Sequence, residues 1–107
     1  MTTTEAELYN GWTNQETWAL MLWINNDEGL QSMAHEVMRN AEHLDAGARE
    51  ASFRYWVESI LTRSGYESEF GEQWPPNLAD IAEDVGSLWR INWWEAVESI
   101  RTDLADE

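Results

Sequence analysis

The chain has 107 residues, with 21 acidic side chains against six basic ones, a formal charge of −15, 43% hydrophobic residues, eight tryptophans and no cysteine. That length suits one domain with one core, and the missing cysteines exclude disulfides, thiolate metal sites and thiol catalysis. The basic residues are all arginines (Arg39, Arg49, Arg54, Arg63, Arg90 and Arg101), too few for the basic patch that nucleic acid or an anionic membrane requires. A field of this sign instead steers the chain toward basic protein surfaces.

Met1 to Leu8 reads as a flexible acidic tail ahead of a single helical domain over 9–107. It lacks the basic start and apolar stretch of a signal peptide. The longest apolar run, Trp18 to Ile24, is far short of a membrane span. A cytoplasmic, soluble protein is expected. Thr13-Asn14-Gln15-Glu16 spells a capping box, in which the Thr13 hydroxyl and the Glu16 carboxylate each satisfy a backbone donor. It opens a first helix to about Asn25 that is apolar on every side, so a central position is expected.

Asn26-Asp27-Glu28-Gly29 breaks the chain before a second helix from about Glu28 to His43, whose stripe is Leu30, Met33, Ala34, Val37, Met38 and Ala41. Asp45 caps a third, carrying Phe53, Trp56, Val57, Ile60 and Leu61, with Ser64-Gly65 closing it. Residues 65–76 read as one long loop ending in paired prolines. Asn77 caps a fourth helix with Leu78, Ile81, Ala82, Val85 and Leu88 or Trp89 inward, and Asn92 with Glu95 repeats the capping signature for a fifth. The expected architecture is all-α: a compact bundle of about five helices around a tryptophan-rich core. Trp18, Leu22, Met33, Val37, Trp56, Ile60, Ile81, Val85, Val97 and Ile100 are the expected interior residues.

Catalytic signatures are sparse. His35 and His43 stand eight positions apart, too far to share an ion on one helix, where ligands want a spacing of three or four. No phosphate loop, nucleophile elbow or aspartate-rich calcium loop is present, and general acid–base options without lysine or cysteine are few. The expectation is a binding protein with no cofactor and no enzymatic activity. Most tryptophans fall at core spacings. Trp74, before the prolines, and one of Trp93 and Trp94 are the rings expected to be partly exposed, and an exposed tryptophan in an acidic rim is a natural hot spot.

Charge is unevenly spread. Glu67, Glu69, Glu72, Asp80, Glu83, Asp84, Glu95, Glu98, Asp103, Asp106 and Glu107 oppose only Arg90 and Arg101, whereas residues 1–66 hold ten acids against four arginines. Duplex DNA carries one charge per roughly 1.7 Å of axis, so a protein imitating it needs such a dense array of carboxylates. The other reading is a solvated surface adapted to solubility or high salt.

Asn10-Gly11-Trp12-Thr13-Asn14-Gln15-Glu16-Thr17-Trp18, continuing to Leu22-Trp23-Ile24-Asn25-Asn26-Asp27, resembles the pattern Asn-Gly-Trp-x-Asn-x-Glu-Thr-Trp then Leu-Trp-x-x-Asn-Asp. That pattern belongs to a family of small uncharacterised proteins scattered through bacteriophages, archaeal viruses, plasmids and bacterial genomes. Ile91-Asn92-Trp93-Trp94-Glu95-Ala96-Val97-Glu98 is similar to the family's closing Asn-Trp-x-Glu-Ile-Ala-Glu, with Ala96-Val97 in place of Ile-Ala. The resemblance brings no activity with it; it implies a mobile-element setting in a host cytoplasm. By analogy with small acidic proteins from that setting, it suggests an inhibitor of the anti-CRISPR or anti-restriction type. Such an inhibitor would cover the basic, nucleic-acid-binding surface of a host defence complex. Glu67, Glu69, Glu72, Trp74, Asp80, Glu83, Asp84, Glu95 and Glu98 are the expected partner-binding residues. Trp12, Thr13, Asn14, Glu16 and Trp18 are read as a structural motif, a capped helix entry over packed indoles. The alternative is an interaction or scaffold protein whose acidity serves solubility, anchored by Trp74 or Trp94.

At −15 on so short a chain, self-repulsion should be relieved by salt. The melting temperature is expected to rise between very low ionic strength and about 0.15 M, where the Debye length is near 8 Å. A continued steep climb into molar salt would favour salt adaptation over mimicry, and a flat profile would contradict both.

Overall fold

The computed structural model describes residues 11–106; the expected tail over 1–8, with Asn10 and Glu107, lies outside the described residues. Six α-helices and one 3₁₀ turn follow in order: α1 Gln15–Asn26, α2 Glu28–Asn40, α3 Ala46–Leu61, α4 Arg63–Phe70, α5 Pro76–Val85, the turn Leu88–Arg90 and α6 Trp93–Ala105. No strand element occurs among the described residues. The chain is all-α, with one helix more than its periodicity suggested.

The extra helix comes from the segment expected to be loop. Thr62, in extended conformation, ends α3 and caps α4: its hydroxyl donates to the Glu58 carbonyl at 2.7 Å and accepts from the Gly65 N–H at 3.0 Å. Gly65 does not close α3; it lies inside α4, where a Cβ would collide with the Glu58 carbonyl oxygen. The left-handed terminal position belongs to Gly71, at φ 67° after Phe70. Other boundaries shift less. Helix α2 stops at Asn40 and not at His43, and α5 starts at Pro76, with Pro75 rather than Asn77 in the cap position. Proline suits that first position because its missing N–H would have had no helical partner. Asp27 and Asp45 cap α2 and α3 by accepting from the Leu30 and Ala48 amides.

Two helices organise the packing. Helix α1 touches α2, α5, α6 and the 3₁₀ turn, while α3 touches α2, α4, α5 and α6. Between them Phe53, Met21, Ile24, Met38, Val57, Val85, Val97 and Ile100 are fully enclosed. Phe53 is the aromatic hub, 5.7 Å from the Trp56 ring and 5.9 Å, edge-on, from Trp93. Of the expected interior residues, Ile60, Ile81, Val85, Val97 and Ile100 are buried, and Trp18, Val37 and Trp56 pack half-buried against the core. Leu22 and Met33 are corrections, 41% and 44% exposed. Helix α1 buries a wide face through Ala19, Leu20, Met21 and Ile24 but leaves the Leu22 side to solvent. Helix α2 buries the line Leu30, Ala34, Met38, and Met33 falls at its edge.

The helix entries of α1 and α6 are interlocked, and here the expected capping box takes a different form. Asn14, one residue beyond Thr13, is the cap: its Oδ1 accepts from the Thr17 amide at 2.9 Å and the Thr17 hydroxyl at 2.7 Å. Its Nδ2 donates to the Arg90 carbonyl at 2.7 Å, so one side chain caps α1 and ties it to the turn before α6. The buried Thr17 hydroxyl in turn accepts from the Asn92 backbone N–H at 2.9 Å. Asn92 caps α6 as expected, accepting from the Glu95 amide at 3.1 Å, and donates its Nδ2–H to the Thr13 hydroxyl. Neither glutamate folds back on its own box. Glu95 accepts from the Thr13 amide at 3.1 Å and Glu16 pairs with Arg90 at 3.1 Å.

Asn14→Ala is expected to cost about 1–3 kcal/mol, more than a lone cap, because the Arg90 carbonyl and the Thr17 hydroxyl lose a partner with it. Combined with Asn92→Ala, the loss measured by denaturant unfolding should fall short of the sum by about 0.5 kcal/mol or more; additivity within about 0.3 kcal/mol would mean two independent caps.

Candidate protein-binding surface

The acidic second half of the chain divides according to what each carboxylate does. Glu95 is committed to the α1–α6 interlock and Glu98 to Arg101, whose Nη1 lies 3.0 Å from its carboxylate. Glu67 lies 4.0 Å from Arg63, one turn earlier on α4. Asp84 accepts from the Trp23 indole N–H at 2.8 Å, joining the end of α5 to α1. Glu69 accepts from the Tyr55 hydroxyl at 2.5 Å, joining α4 to α3. No ion pair or hydrogen bond among the described residues reaches Glu72, Asp80 or Glu83, all exposed.

Helix α5 gives the densest outward array. Its inner face is Leu78, Ile81, Ala82 and Val85, which pack on or within the core. The spacing of three and four residues therefore sets Asp80, Glu83 and Asp84 side by side on the opposite face. Four of the arginines meanwhile have local acidic partners. Arg54 pairs with Glu58 at 2.9 Å, Arg63 with Glu67, Arg90 with Glu16, and Arg101 with both Glu98 and Glu42. The Arg101 hydrogen bond, and then its charge, hold the Glu42 carboxyl below its ordinary range. Exposed pairs such as these add little stability each. They do remove the cations from circulation and leave the carboxylate surplus facing water.

Aromatic exposure follows expectation at Trp74 and Trp94 and departs from it at Trp89. Trp74 is half-buried and tied to the end of α3, its indole N–H donating to the Ile60 carbonyl at 2.9 Å. Trp94 is 58% exposed, its neighbour Trp93 packing on Phe53. The most exposed indole is Trp89, at 75%, which the sequence pattern had assigned to the stripe of the fourth helix. Gly86 and Ser87 end that helix, and Trp89 sits in the 3₁₀ turn beyond. A glycine followed by serine after the last apolar residue, Val85, is the available signal for that break. Trp12 and Trp18 pack half-buried against the core, next to the interlock formed by Thr13, Asn14 and Glu16.

Two open grooves mark the surface. One, of about 560 Å³, lies between α2 and α6 and is lined by Arg39, Glu42, Glu98 and Arg101, so its charges balance. The other, of about 590 Å³, lies where α3, α4 and the 3₁₀ turn meet, and Tyr55, Glu58, Glu69, Leu88 and Trp89 line it. It exists because the chain breaks at Thr62 and α4 folds back close enough to α3 to require Gly65. No group of three or more histidine or acidic residues able to hold a metal ion occurs among the described residues, and none of their helices is long and apolar enough to cross a membrane.

A family model described as a family of unknown function (DUF7249) matches residues 5–84. The matched stretch includes Asn14 and Thr17 but stops before Arg90, Asn92 and Glu95, their partners in the interlock. No curated protein and no solved structure matches the chain.

The hydrogen bond to Glu69, and then its negative charge, raise the Tyr55 hydroxyl above the ordinary tyrosine range. Glu69→Gln removes the charge, so the Tyr55 phenol should titrate at lower pH than in the parent. Carbon-13 NMR of labelled tyrosine reads this directly, and an unchanged titration would show that the two side chains do not meet in solution.

Proposed function

The chain belongs to this family of unknown function, and we propose that it acts by binding, covering a basic, nucleic-acid-binding surface of a protein partner as a DNA-mimic inhibitor. A host defence complex of the CRISPR or restriction type is the partner class we favour, with the chain working in the cytoplasm of a host cell as a mobile-element product. The observation that carries the reading is the outward array on α5 with Glu72 before it: Glu72, Asp80 and Glu83 are exposed and without a partner among the described residues, and Asp84 stands beside them. Carboxylates one helical turn apart, about 5–6 Å between Cβ atoms, present the repeated negative charge that a phosphate-binding surface is built to accept. The local pairing of Arg54, Arg63, Arg90 and Arg101 supports it, because none of those ion pairs is made to Glu72, Asp80, Glu83 or Asp84.

A second reading, an ordinary interaction or scaffold protein whose acidity keeps it soluble, rests on Trp94, whose exposed ring suits an anchor at a conventional interface.

Affinity capture from host lysate, with competing duplex DNA, separates the two. Under the mimic reading, the retained proteins are nucleic-acid-binding, DNA displaces them, and their on-rate falls as salt rises. The triple variant Glu72→Gln, Asp80→Asn, Glu83→Gln should then slow association by about tenfold at low salt. Partners that persist in excess DNA, are indifferent to that variant and are lost with Trp94→Ala would replace mimicry with the second reading.

A further inference from the structure

The groove where α3, α4 and the 3₁₀ turn meet combines carboxylates with exposed rings. Tyr55 and Trp89, 62% and 75% exposed, both line it. So do two carboxylates, Glu58 and Glu69, and its lining contains no arginine or histidine. The remaining polar lining is neutral hydroxyl, from residues such as Ser59 and Ser68. An anion entering this site meets two like charges; a cation meets two opposite charges and the negative faces of two aromatic rings. The groove between α2 and α6 has nearly the same volume but carries its own arginines, so it has no such preference.

The partners of the two carboxylates leave that preference intact. Tyr55 donates a hydrogen bond to Glu69 without neutralising it, so ring and carboxylate are held together as one unit. Glu58 is paired with Arg54 through one oxygen, in an exposed pair that an incoming cation can share or replace. One guanidinium of the chain already approaches this ring, Arg90 at 5.8 Å from the Trp89 centroid, so an incoming cation takes the ring's open face or displaces it.

We propose that this groove is a binding site for a cationic side chain, an arginine or lysine presented by a protein partner, held between Trp89 and the Tyr55–Glu69 pair with Glu58 opposing its charge. The site deepens the reading of a basic partner without using the α5 carboxylates, so the two stand or fall separately. Arginine is the better occupant, because its flat, weakly hydrated guanidinium stacks on a ring while hydrogen-bonding a carboxylate in its own plane.

The test is titration of the full chain with a short capped peptide containing one arginine, set beside the same peptide with citrulline, the neutral isostere, followed by NMR of the indole N–H signals and of the backbone. The expected result is a saturable shift at Trp89, Tyr55 and Glu69, with the citrulline peptide at least about tenfold weaker. Trp89→Ala should weaken the arginine peptide by about 3- to 30-fold, and Glu69→Gln by a similar factor. Trp94→Ala and the triple variant at Glu72, Asp80 and Glu83 should leave it unchanged. Equal binding of the citrulline peptide would overturn the proposal in favour of a neutral-ligand groove. Shifts spread over the α5 carboxylates, or indifference to Trp89→Ala, would overturn it in favour of unspecific charge attraction. Because Trp89 is largely exposed, its loss should not unfold the chain, and an unchanged melting temperature confirms that the variant reports on the site. A chain that binds the arginine peptide here yet captures no nucleic-acid-binding protein would retain the groove and discard the inhibitor reading.

Discussion

One buried hydroxyl holds the two ends of this fold in register. Thr17 donates to Asn14 and accepts from the Asn92 backbone, so the cap of the first helix and the entry of the last are parts of one hydrogen-bond chain. The residues involved are 75 positions apart, a separation whose closure entropy must be recovered from contacts made only after folding. Around that hydroxyl, the Asn14 amide reaches the Arg90 carbonyl, the Asn92 amide reaches Thr13, and Glu95 closes the circuit at the Thr13 N–H. Leaving any buried member unpaired costs more than an average hydrogen bond supplies. The network thereby fixes α1 against α6 and, through the Leu88–Arg90 turn, sets where Trp89 emerges.

A second constraint is steric. The α3–α4 corner depends on the absence of a side chain at Gly65 and on Thr62, which satisfies the Glu58 carbonyl and the Gly65 amide at once. Folded back in this way, α4 delivers Glu69 to Tyr55, and the groove is the space left beside that corner. The same corner gives Trp74 its place, since the Ile60 carbonyl near the end of α3 accepts the Trp74 indole N–H. Trp74 thus serves as an internal strut, and the two most exposed indoles, Trp89 and Trp94, lie elsewhere.

The charge pattern and the packing have little to do with each other. Core burial is supplied by Phe53, the aliphatic residues around it and the half-buried indoles. Where acids do contribute inside, they act as acceptors for particular donors, as Asp84 does for Trp23 and Glu95 for Thr13. Asp27 and Asp45 likewise cap helices, and the unpaired surplus acts on the fold only through its mutual repulsion.

The sequence by itself determined the helical class, the caps at Asp45 and Asn92, the inward stripe of α5 as far as Val85, the burial of Val97 and Ile100 and the overwhelming negative charge, because all of these depend on neighbours three or four residues away or on composition alone. It fell short wherever the deciding partner was distant. Thr13 and Glu16 spell a local capping box, but α6 and Arg90 compete for them and move the cap to Asn14. Leu22 and Met33 follow a helical apolar pattern, yet no helix among the described residues covers them, and periodicity carries no record of which faces find neighbours. Gly65 reads as a terminator until the Glu58 carbonyl is beside it. The acidic surplus was legible as a number; which carboxylates are occupied, and which rings stand beside them, was decided only when helices far apart in the chain came into contact.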